Sequence, residues 1–184
     1  MFSNPQEKTI EREVNLDGRT AVVIPFQEKG GAYFASMDGA ELAERVARQM
    51  MANMPKTQFV GTLPARESVE KSTTESTLAE LGKAAGADVV VTGTLTEFRT
   101  KEPKTQLVLR GTCSAQVMVY DVKAMKTIKS WTVTVRYPEM GEGIPETDTT
   151  ESAVRDAVLK RTADLIAKKF YAWKKSLGPQ PMEW

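Results

Sequence analysis

A chain of 184 residues is long enough to form one ordinary domain with a real core. Its 41% hydrophobic and 27% charged content suits a globular protein, and 25 basic against 24 acidic residues leave a net charge of +1, without the basic excess of a nucleic-acid binder. With no histidine and one cysteine, the chain excludes a Ser-His-Asp triad, a Cys-His pair, an H-E-x-x-H zinc site and the cysteine-rich zinc sites.

No apolar run reaches the roughly 18 residues of a membrane span, and the start (MFSNPQ) has neither the basic nor the apolar region of a signal peptide. Residues 1–18, polar and carrying Pro5 and Gly18, read as a tail or leader. Residues 20–26 (TAVVIPF) form a short apolar run ending near a proline, as a buried strand does. A helix is predicted from Asp38, with Glu41 completing a capping box and Leu42, Val46 and Met50 giving an apolar stripe; Pro55 ends it. Residues 57–63 read as a second short strand. Residues 64–85 read as one broken helix or two, with Ser72 and Glu75 as a capping box and Gly86 as the stop.

From residue 88 to 98 the period becomes two: Val89, Val91 and Leu95 point one way, and Thr92, Thr94 and Thr96 the other. A charged turn follows over 99–105. Residues 107–120 alternate most clearly, with Leu107, Leu109, Cys113, Ala115, Val117 and Val119 on one face and Arg110, Thr112, Ser114 and Gln116 on the other. Residues 127–137 return after a short turn, with Trp131, Val133 and Val135 inward and Ser130, Thr132, Thr134 and Arg136 outward, which predicts an antiparallel hairpin. An acidic loop over 138–149 leads to a helix capped by Asp148 and Glu151 and running to about Lys175. Its stripe is Val154, Val158, Leu165, Ile166, Phe170 and Trp173. Residues 177–184 read as a C-terminal tail.

The predicted fold is therefore one α/β (α+β) domain over 19–176. It is a single mixed sheet with a C-terminal antiparallel meander, packed with about three to four helices in the order β-α-β-α-β-β-β-α.

The unusual surface is the hydroxyl face of the meander. Arg110, Thr112, Ser114, Thr132, Thr134 and Arg136 are the candidate partner-binding residues, although threonine also simply suits an exposed strand. The acidic loop (Glu139, Glu142, Glu146, Asp148, Glu151) matches no EF-hand spacing, and acids before a helix complement its dipole, so no metal ligand is assigned. Lys160, Arg161, Lys168, Lys169, Lys174 and Lys175 read as a solvated helix face rather than a lipid or nucleic-acid site. Cys113 falls on the apolar face as an inert core residue. No catalytic residue and no cofactor site is assigned.

The segments AVVIPF, ELAERVARQM, LAELGKAAGADVVVTGTLTEF and VMVYDVKAMKTIKSWTVTV together resemble the CsgG/TolB-N/LpoB-like group of bacterial envelope proteins. The central motif is Gly86-Ala87-Asp88-Val89-Val90-Val91-Thr92-Gly93, followed by the turn Asp121-Val122-Lys123-Ala124-Met125-Lys126 and Trp131; the turn glycine usual in the group is absent. The similarity runs over residues 20–173. It implies a periplasmic, non-enzymatic accessory domain acting by protein–protein contact in secretion, envelope assembly or peptidoglycan synthase activation. Its partner would be an envelope protein or further copies of itself. Membrane attachment would come only through an N-terminal lipid anchor that this chain does not carry. The strand connections are too short to add the long hairpins of a membrane pore. Two other classes stay open from the residues themselves: a small-ligand-binding periplasmic domain, and a histidine-free enzyme using paired carboxylates.

Overall fold

The computed structural model describes residues 7–29, 37–61, 75–102, 109–139 and 150–176. Strand β1 (Glu7–Ile10) precedes β2 (Thr20–Val23), β3 (Gln27–Glu28), helix α1 (Met37–Asn53) and β4 (Gln58–Phe59). Helix α2 (Glu75–Ala85) leads into three long strands, β5 (Val89–Lys101), β6 (Leu109–Asp121) and β7 (Lys126–Tyr137). Helix α3 (Glu151–Ala167) and strand β8 (Trp173–Ser176) close the described chain. The main sheet runs β4-β2-β5-β6-β7, with β3 also paired to β5. Strands β2, β3 and β4 join in parallel, whereas β5, β6 and β7 form the antiparallel meander. The predicted order of elements is present, and β1, β3 and β8 are additions to it.

The connections from β2 to β4 and from β4 to β5 step in opposite directions across the sheet. Right-handed crossovers then put their helices on opposite faces. Accordingly, Leu42, Val46 and Met50 of α1 share the larger core with Val89, Val91, Val117 and Val133, together with Val154, Val158 and Ile166 of α3. Leu78 and Ala79 of α2 pack on the other face with Val22, Val90 and Tyr120. The two faces of β5 thus explain its unbroken Val89-Val90-Val91 start: both sides are covered there, and alternation gives way to a continuous apolar run.

The motif around Gly86 has a physical reading. Gly86 has φ +67° and donates its N–H to Lys83 O, while Ala87 N donates to Gly82 O. This is a Schellman ending, in which glycine takes the left-handed position and the next residue, Ala87, packs against the smaller core. The Asp88 Oδ2 atom accepts from Thr20 N at 2.9 Å, and Asp88 N donates to Thr20 O at 2.8 Å, which sets β5 in register beside β2.

The leader expected over 1–18 does not end at residue 18. β1 pairs antiparallel with β8, and Glu13 N and Val14 N both donate to Lys169 O. Val14 is 6% exposed and Leu16 fully buried, so residues 7–18 belong to the packed domain. The long last helix is also shorter than expected. It stops at Ala167, Phe170 turns into the core, and the chain reverses into β8. Phe170 and Trp173 therefore do not extend the α3 stripe, and Leu165 is exposed; the buried stripe is Val154, Val158, Leu159, Thr162, Ala163, Ile166 and Ala167. The N-cap of α3 is Thr150, whose Oγ1 accepts from Ala153 N at 3.2 Å. Asp38 sits inside the first turn of α1, where its carboxylate binds Arg155 Nε at 2.7 Å. Asp148, Ser72 and Leu107 lie outside the described residues, and the second strand is reduced to β4.

Candidate partner-binding face

Beyond the part covered by α2, the second face of the meander presents polar rungs. Strand register puts Thr94, Gln116 and Thr132 in one rung, and Glu97, Ser114 and Thr134 in the next. Arg99, Thr112 and Arg136 form a third. The Ser114 and Thr134 hydroxyls share a hydrogen bond of 2.6 Å. Glu97 and Arg99 form an ion pair, and Arg110 reaches Glu102 at 3.2 Å. Ser114, Thr132, Thr134, Arg110 and Arg136 are thus brought to one surface as the alternation predicts.

Three residues depart from it. Thr112 is 2% exposed, in register between Arg99 and Arg136, so its hydroxyl is no contact point. Thr92 is 1% exposed, and its Oγ1 has no hydrogen-bond partner among the described residues. Thr96 occupies a bulge between Leu95 and Glu97, and its Oγ1 donates to Ser114 O. The extra residue flips the parity of the strand, which brings Glu97 and Arg99 onto the polar face and Phe98 onto the core. The threonine alternation hides this bulge. The available signal is the three-residue step from Leu95 to Phe98, which breaks the period of two.

Several charged groups elsewhere are paired locally. On the C-terminal basic stretch, Lys168 binds Asp164 at 2.6 Å and stands over the Trp173 ring, Lys169 binds Glu13, and Lys174 binds Glu7 at 2.8 Å. Of the acidic loop, Glu139 approaches Arg161 at 3.6 Å and Glu151 binds Lys101 at 2.8 Å; Glu142, Glu146 and Asp148 lie outside the described residues. No group of three or more Cys, Asp or Glu side chains among the described residues is placed to hold a metal ion. Cys113 is fully buried, and burial pushes its thiol up to about 11, away from nucleophilic reactivity.

Helices α1 and α3 are tied by a cluster of ion pairs. Arg155 meets Asp38 at 2.5 Å and Glu41 at 2.6 Å, and Arg45 meets Glu41 at 2.5 Å and Asp156 at 2.6 Å. Burial raises the Glu41 carboxyl, but the guanidinium groups of Arg45 and Arg155 outweigh it and hold it low. Asp121 is held low first by the Ala124 N–H and then by Arg19, and Glu13 by the Lys169 ammonium. Among the described residues every carboxylate with a resolved shift moves down, the reverse of what a general acid needs.

These directions set the pH response. A carboxyl lowered in the folded state adds stability that is fully present above its unfolded value, about 4 to 4.5, and is lost as pH falls through the folded value. With no histidine, the chain lacks the side chain whose ordinary value falls between about pH 5 and 8. The urea midpoint should therefore be flat over that range and fall below about pH 4, with Glu41→Gln shallowing the acid limb. A midpoint that climbs on acidification contradicts this.

A cleft of about 670 Å³ lies between the β7 edge and α3, lined by Thr134, Arg136, Glu139, Arg161, Asp164 and Leu165. Its walls mix charged side chains with the apolar Val135 and Leu165.

The fold is shared with several solved structures. The particular structures are distant in sequence. A PelC dodecamer from Paraburkholderia phytofirmans superposes with a TM-score of 0.53 at 14% identity, over 89% of this chain and 96% of that one. Protein XCC0632 from Xanthomonas campestris, of family DUF330, gives 0.53 at 12% identity, over 85% of this chain and 84% of that one. Hypothetical protein CT253 from Chlamydia trachomatis gives 0.50 at 15%, over 82% and 96%. No protein-family model matches the chain, and no curated protein does. The likeness is one of fold.

Proposed function

We propose that this chain is a non-enzymatic accessory domain of the bacterial envelope, periplasmic in location, acting by protein–protein contact in secretion, envelope assembly or peptidoglycan synthase activation. The observation that carries this reading is the open polar face of the meander: Thr94–Gln116–Thr132 and Glu97–Ser114–Thr134, bordered by Arg136, on an otherwise well-packed sheet. Backbone pairing holds these side chains in fixed register, so a partner meets a preorganised surface and little ordering entropy opposes docking. The sequence resemblance to the CsgG/TolB-N/LpoB-like group supports an envelope context, and the PelC structure, which shares the fold, is a dodecamer, which supports contact between copies as one mode of action.

The test is affinity capture from detergent-solubilised envelopes with the purified domain, followed by mass spectrometry. Capture of a secretion or wall-synthesis component, lost in an Arg136→Glu, Thr132→Lys double variant that melts like the parent, is the expected result. Equal capture by the double variant removes this face from the reading. Capture of nothing at low and moderate salt overturns the reading as a whole.

A further inference from the structure

Strand β7 ends the main sheet. Among the described residues nothing pairs its outer edge, although it is 12 residues long. Edges of this length are ordinarily protected by charge, proline, bulges or a covering element. Among the described residues β7 has such devices only at its ends. A register shift leaves Ile128 as a bulge between Thr127 and Lys129, and Pro138 follows Tyr137. Between them the strand is regular, and residues 130–135 (SWTVTV) contain no charge, glycine or proline. That stretch has the composition of a pairing strand.

We propose that this edge is completed by the same strand of a second copy, antiparallel, about a two-fold axis through Val133. An edge of free N–H and C=O groups is satisfied by another strand, and the regular stretch selects which one. Its limits, residues 129 and 137, are equidistant from Val133, so the stretch pairs with itself end to end. In an antiparallel pair, opposed residues share a face, and a two-fold normal to the sheet preserves that face. On the core side Val133 meets Val133, and Trp131 meets Val135. On the polar side Thr132 meets Thr134 twice, and Ser130 meets Arg136. Each match joins like chemistry, and no charge opposes its own sign.

The surroundings fit the same occupant. The cleft between β7 and α3 opens along this edge, with Leu165 exposed at 40% on its α3 wall. Arg161 and Asp164 flank Leu165 on that wall. A two-fold sets the wall against its own copy and covers both leucines. The polar faces of both copies then form one continuous surface. The inference stands on the edge itself and survives failure of the accessory reading.

The test is sedimentation velocity on the purified chain across a concentration series, without any partner. The wild type should sediment as a dimer or an even multiple. Thr132→Lys with Thr134→Lys sets lysine against lysine at both cross-strand pairs and should weaken association by about tenfold or more. Thr132→Lys with Thr134→Glu sets lysine against glutamate at both and should restore it. Both threonines are exposed, and the second variant serves as the folding control for the first. A wild type that stays monomeric, which is also the result if another segment of the same chain occupies the edge, overturns the proposal. So does assembly indifferent to both charge patterns, or lost equally in both variants.

Discussion

Replacing Gly93 with valine is expected to lower the unfolding free energy by about 3 kcal/mol or more, the upper range for forcing atoms into a packed core. A Cβ at this position would lie 2.3 Å from Gln116 O and 2.6 Å from Cε1 of Phe26. The chain that runs beside β5 breaks its pairing here. β2 ends at Val23, Ile24 N donates to Val91 O, and β3 resumes pairing with Thr94 and Leu95. Phe26 spans the gap, fully buried, with its ring on the bare backbone of Gly93. A flexible side chain could give way, but the Gln116 carbonyl is fixed, because Gln116 pairs with Thr94 on one side and Thr132 on the other. Combining Gly93→Val with Phe26→Ala should therefore fail to restore stability. Gly61→Ala, where an added Cβ meets nothing within 4 Å, is the control and should change the urea midpoint little. Equal midpoints for the two single variants would refute the argument.

Gly93 also shows what the sequence can and cannot reveal. The glycine closing Gly86-Ala87-Asp88-Val89-Val90-Val91-Thr92-Gly93 is visible as a pattern, and so is the strand ending in Phe26. Their contact is not visible, because it joins residues 67 positions apart across a break in parallel strand pairing. The meander was legible for a simpler reason. Only one of its faces is fully covered, so β6 and β7 alternate cleanly and their register follows from a short turn. The polar surface was legible to the same extent. It fails where a local device resets the period, at the Thr96 bulge, and where burial is decided by flanking residues, at Thr112. The paired β1 and β8 were not legible at all. Their residues (EKTI and WKKS) are mostly exposed, carry little apolar pattern, and are joined only by pairing between the two ends of the domain.

That joint rests on Phe170, and Phe170→Ala is expected to cost about 3–5 kcal/mol. The residue is fully buried where the chain leaves α3, and its ring meets Trp131 of β7 edge-on at 5.7 Å. It shares the large core with Val14 and Leu16 from the N-terminal segment and with Ile166 from α3. One side chain thus sits in a core built from the sheet, the last helix and the segment leading out of β1. The adjacent Lys169 carbonyl accepts from both Glu13 and Val14, so a turn that loses its anchor also loosens those bonds. The effect should therefore be both global and local. The urea midpoint should fall sharply, and hydrogen exchange should accelerate at residues 7–18 and 173–176 more than in β5 and β6. Lys160→Ala, on an exposed position of the same helix, should leave both readouts nearly unchanged. A uniform loss of protection, with no excess in the two terminal segments, would mean that Phe170 merely fills volume. An excess confined to those segments would make it the pin that holds the two ends of the chain on the sheet.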